Sequence, residues 1–129
     1  MSSSFAREPI VIANQDVPEI KIPQFNLVNI FTRKQIFWSN GHKITVYTKP
    51  VDSIEHKIFT INVLNLTPFK YKTLLDSISY TGKNTPTIEL KSDQEMIFKL
   101  SMTPFAIGYI NNDLLFNDSQ RLIHITSDD

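Results

Sequence analysis

Apolar positions along this chain follow two rhythms, and the places where the rhythm changes mark its elements. Pro9-Ile10-Val11-Ile12-Ala13-Asn14 is a continuous β-branched apolar run closed by asparagine, which predicts a strand buried on both faces. Val17 to Lys21 reads as a connector. Pro23 stands where a first-turn proline is tolerated, and Phe25, Leu27, Val28, Ile30 and Phe31 follow at helical spacing. Trp38-Ser39-Asn40-Gly41 predicts a tight turn, because Asn-Gly supplies the positive φ it needs. Lys43 to Thr48 alternates and predicts a second strand. After the loop from Lys49, either Asp52 or Ser53 can cap a helix carrying Ile54, Ile58, Phe59, Ile61, Val63, Leu64 and Leu66.

Thr67-Pro68 restarts the pattern as cap and first helical residue, with Phe69, Tyr71, Leu74, Leu75, Ile78 and Tyr80 as its apolar positions, Tyr71 to Ile78 pairing at three and four, and Gly82 as the stop. Ser92-Asp93-Gln94-Glu95 is a capping-box signature, in which the serine caps and the glutamate reaches back. Met96, Ile97 and Leu100, with Phe98 as a further candidate, form the apolar face of that helix, and Thr103-Pro104 ends it. Phe105 to Ile110 predicts a strand with Gly108 where bulk would clash; Asn111 to Asp113 turns the chain, and Leu122 to Thr126 is a last strand. The early alternation of strand and helix predicts an α/β fold, a mixed sheet with helices packed on it.

Composition narrows what such a fold can do. With 129 residues, 41% of them hydrophobic, the chain is long enough for one self-sufficient core. Thirteen basic and 13 acidic residues cancel, so the basic face that nucleic acid requires is not expected. No apolar run reaches the roughly 18 residues that span a bilayer. Cysteine is absent, which removes disulfides, thiol chemistry and thiolate metal sites. His42, His56 and His124 lack the local spacing of a metal pair, and three glycines cannot build a phosphate-binding loop. No metal, no cofactor and no catalytic residue is expected. Ser4 and Ala6 have the small size required just before a signal-peptidase cut, although the apolar region of a signal peptide is missing. Residues 1–8 are therefore read as a signal-peptide remnant or a disordered tail, and residues 9–126 as a single domain.

Several of these segments, in this order, resemble a known family. Asn29-Ile30-Phe31-Thr32-Arg33-Lys34 followed by Trp38-Ser39-Asn40-Gly41-His42-Lys43-Ile44 is similar to the helix-end segment of phosphate-type periplasmic solute-binding proteins, where the pattern runs Ile-Phe-x-Gly-Lys, a tryptophan, then a strand. Phe105-Ala106-Ile107-Gly108-Tyr109-Ile110 resembles that family's Gly-Ala-Ile-Gly-Tyr-Val strand, and Thr81-Gly82-Lys83-Asn84-Thr85-Pro86 resembles a loop of its short, single-lobe group. The resemblance runs from Pro9 to Ile125 and implies one lobe of the two that close on a ligand. It also implies an exported or periplasmic location and work beside an ABC transporter. Two family glycines are replaced, by Arg33 and by Phe105. The family's anion-gripping Ser-Gly-Thr matches Ser53-Ile54-Glu55, so only the serine is kept, and Asp52 and Glu55 place negative charge where an anion would sit.

Two functions fit this reading. The first is a binding protein taking a small oxyanion or polar solute near Asn14, Thr48 and Ser53, at strand ends and a helix N-terminus. The second is an interaction module that has kept the fold, lost the ligand site and docks on an envelope transporter or sensor, or on a second copy. Arg33, Lys34 and Trp38 are the candidate partner surface, and Phe5, Phe37 and Phe116 could add an apolar patch. Neither function is an enzyme's.

Overall fold

The structure is a computed structural model and describes residues 8–79, 87–111 and 119–127. Strand β1 (Ile10–Asn14) is followed by a three-residue strand, β2 (Lys21–Pro23), and directly by helix α1 (Gln24–Phe31). Pro23 is the residue that caps α1, one position earlier than a first-turn proline. After the turn at Trp38 to Gly41 come β3 (Thr45–Thr48), α2 (Ile54–Asn62) and α3 (Pro68–Ser79). Gly41 has φ 90°, and its N–H donates to the Trp38 carbonyl at 2.9 Å, as Asn-Gly predicts. A two-residue edge strand, β4 (Ile88–Glu89), precedes α4 (Asp93–Met102), β5 (Ala106–Ile110), β6 (Gln120–Leu122) and β7 (His124–Thr126). The predicted Gly82 helix stop, the loop around it and the turn residues Asn112 and Asp113 lie outside the described residues, as do Phe5 and Phe116.

Five strands form one mixed sheet in the order β4-β3-β5-β1-β6. β3 is parallel to β4 and to β5, whereas β1 is antiparallel to β5 and β6, with Ile10 opposite Ile110 and Ala13 opposite Ile107. Alternation then decides which side chain faces which layer. Val11, Ala13, Val46, Ile107 and Tyr109 pack with Leu27, Ile30, Phe31, Phe59 and Tyr71, against α1, α2 and α3. Ile12, Tyr47, Ala106 and Ile110 pack with Met96 and Leu100, against α4. Gly108 faces α4 as well: a Cβ there would lie 2.6 Å from Met96 Sδ and 3.3 Å from the Tyr47 carbonyl oxygen, so α4 sits closer than any side chain would allow.

The predicted last strand is split. Ile123 is buried and donates its N–H to the Val11 carbonyl, so the chain leaves the main sheet there and pairs β7 with β2 in a separate two-stranded parallel ladder. The capping box at Ser92 forms with a shift. Ser92 Oγ accepts the Glu95 N–H at 3.1 Å, but the Glu95 carboxylate accepts the N–H of Lys91, not that of Ser92. No helix among the described residues is long and apolar enough to cross a membrane.

Candidate functional site

Parallel β3, β4 and β5 end together, and the segments that follow them, Lys49, Leu90 and Asn111, form the carboxyl edge of the sheet. Open α/β sheets place ligands at this edge, because helix N-termini and strand ends converge there. Lys49 fastens it. Its backbone N–H donates to the Tyr109 hydroxyl at 2.9 Å on one face of the sheet. Its Nζ meets Asp93 Oδ1 at 2.5 Å, at the start of α4 on the other face. The second Asp93 oxygen accepts the Asn111 N–H at 3.1 Å, so one carboxylate joins the ends of β3 and β5 to a helix terminus.

At α2 the Ser53 hydroxyl is used twice within its own turn. It donates to the Pro50 carbonyl at 2.6 Å and accepts the His56 N–H at 3.2 Å, which makes it the N-cap. Ile54 follows with 68% of its surface exposed, and Glu55 is the acidic residue of the first turn. His56 is 1% exposed, and its Nδ1 lies 2.9 Å from the Tyr109 hydroxyl. That hydroxyl also accepts the Lys49 N–H, and His56 Nε2 is a buried atom with no hydrogen-bond partner among the described residues. Burial lowers the His56 pKa to about 4 and raises that of Tyr109 far above the ordinary phenol value, so both are neutral at neutral pH. Phe59 stacks on Tyr109 at 3.8 Å and seals the pair from solvent. The arrangement orients backbone and side chains, with His56 and Tyr109 both buried within it. No group of three His, Asp or Glu side chains able to hold a metal occurs among the described residues.

No family model matches the chain, and no curated protein matches it by sequence. Solved structures do match by shape. PstS from Borrelia burgdorferi superposes with a TM-score of 0.71 at 20% identity, over 93% of this chain and 47% of its own. An ABC-type phosphate transport receptor from Vibrio cholerae gives 0.59 at 14% identity, over 94% and 46%. A protein described as a phosphate ABC transporter substrate-binding protein, with bound phosphate, from Clostridium perfringens gives 0.67 at 14%, over 95% and 45%. The fold matches that of a single lobe of these structures. The chain thus spans about half the length of the structures it resembles. Within this lobe, Arg33 and Phe105 stand where the family pattern has glycine, and both have left-handed backbones, φ 68° and 65°. Glycine adopts such a backbone without strain, whereas Arg33 and Phe105 carry side chains on it.

The three candidate ligand residues do not all come together. Thr48 and Ser53 lie at the carboxyl edge, but β1 runs antiparallel to β5, so its last residue, Asn14, lies at the opposite edge. There Asn14 donates to the Leu100 carbonyl at 2.7 Å and accepts the Asp16 N–H at 2.8 Å, an internal tie. Thr48 is buried, and its carbonyl accepts the Leu90 N–H. Of the proposed partner surface, Arg33 is buried and donates to the Ile44 carbonyl at 2.9 Å. Trp38 is buried too, its indole N–H donating to the Phe105 carbonyl at 2.9 Å. Lys34 alone of the three is exposed, beside an exposed Phe37 nearby in the chain. Lys49 and Asp93 were not among the candidates. The sequence signal for them is slight: a lysine directly after a strand and an aspartate at the first position of the next strand-flanking helix.

Proposed function

We propose that the chain is an exported, non-catalytic lobe of the substrate-binding-protein type that acts through contact with an envelope protein, a transporter or sensor component or a second copy, and does not grip a solute by itself. Residues 9–126 would be its folded unit and residues 1–8 a leader remnant or tail. The observation that carries this reading is the α2 terminus. The Ser53 hydroxyl is consumed by Pro50 and His56, Ile54 denies the backbone the close approach a glycine would permit, and Glu55 opposes an anion. Half a clamshell also buries only part of a small ligand, which limits affinity.

Titration calorimetry with phosphate and sulfate tests it. The expected outcome is no saturable heat up to millimolar anion, with or without S53A, and with S53A lowering stability by about 1 kcal/mol as a lost cap. Micromolar binding that disappears in S53A would instead establish the second reading, an oxyanion half-site. That reading draws support from the N-termini of α2 and α4 both lying at the carboxyl edge. Fractionation of cells carrying the full chain tests export, and retention in the cytoplasm counts against it.

A further inference from the structure

The corner made by Lys49, Asp93 and Asn111 differs from the Ser53 corner in holding a buried cation. The Lys49 side chain is 3% exposed and that of Asp93 13%. An ammonium so far removed from water requires a counter-charge in contact with it. The contacts around that counter-charge are those an oxyanion would use: an ammonium, a strand-end backbone N–H and the positive end of a ten-residue helix. Glu95 already gives α4 an acidic first turn from the exposed surface, so favouring the helix dipole does not by itself account for Asp93 reaching inward to two other elements.

We propose that Asp93 is the lobe's own permanent anion: its carboxylate fills an oxyanion seat between Lys49 Nζ and the Asn111 N–H and closes that seat to small external oxyanions. The inference deepens the reading above by naming what keeps solutes from the second helix terminus of this edge. It rests on other residues than Ser53, so the two can fail separately.

The test is chemical rescue. D93G removes the carboxylate and leaves a space of carboxylate size facing Lys49. In sodium chloride its Tm is expected to fall. Sodium acetate, and inorganic phosphate as the bulkier probe, should raise it saturably at matched ionic strength, while the wild type responds no more than to chloride. K49M added to D93G should abolish the rescue. If D93G does not fold in chloride, acetate should restore folding. D93N keeps the shape without the charge, and its unfolding constant should rise about tenfold or more. An anion response in D93G equal to that of chloride, failure of acetate to restore a D93G that does not fold, or D93N as stable as the wild type overturns the proposal. Wild-type phosphate binding that persists in D93N would sink the partner reading and leave this one standing.

Discussion

At the scale of single residues, the polar side chains at the carboxyl edge serve the protein before they can serve a solute. His56 shows this in its protonation. Its ordinary pKa of 6.5 falls to about 4 because the imidazolium would be buried, with the neutral Tyr109 hydroxyl on one side and the Tyr71 ring at 5.1 Å on another. Between those two values the unfolded chain binds a proton that the folded chain refuses, so stability rises with pH. It is complete above pH 6.5 and is lost as pH falls towards 4. At about 1.4 kcal/mol per pH unit, the loss reaches about 3 kcal/mol. Urea midpoints across that window should fall in the wild type and be flatter in H56L, whose difference from the wild type removes the shared carboxylate contribution; equal slopes would refute the assignment. Arg33 and Phe105 mark the limit of residue-level reading. Neither residue type suggests the left-handed backbone that both adopt. Burial of the Arg33 guanidinium against Ile44 was equally hidden, since an Arg-Lys pair in a polar stretch reads as a solvated face.

At the scale of elements, the long periodic segments and their caps were legible, although α2 stops at Asn62, short of the Val63, Leu64 and Leu66 that its pattern included, and the short strands were not. Ser53, Thr67 and Ser92 each accept the N–H three residues on, as cap chemistry requires. β2 and β4 are too short to display a period of two, and the split of the last strand at Ile123 follows from which partner each half finds, a fact of tertiary structure. The close packing of α4 on β5 was visible as a glycine among bulky neighbours. G108A should destabilise by about 1–3 kcal/mol, because the new methyl meets Met96 Sδ and the Tyr47 backbone. M96A costs stability alone, yet combined with G108A the loss should be smaller than the sum. Additive losses in a denaturant double-mutant cycle would mean that the methyl is accommodated elsewhere.

For the whole molecule, β1 is the element on which the rest depends. It lies between β5 and β6 and bonds to both, joining the start of the described chain to its end, while its side chains enter both cores. Deleting residues 8–14 should abolish cooperative unfolding by circular dichroism, since β5 would lose its antiparallel neighbour and β6 its pairing in the main sheet among the described residues. A sharp residual transition would contradict that. The same antiparallel direction explains why Asn14 could not join Thr48 and Ser53: the sequence identifies the ends of strands but not which way each one runs in the sheet.

Trp38 has a practical consequence. It is the chain's one tryptophan, it is buried, and its indole is tethered to the left-handed residue Phe105, whose ring in turn stacks on His42 at 4.0 Å. The protein therefore carries a built-in optical gauge. Emission from the enclosed indole should be blue-shifted in the native state and move to the red as this corner opens, so a single fluorescence trace follows melting without any label.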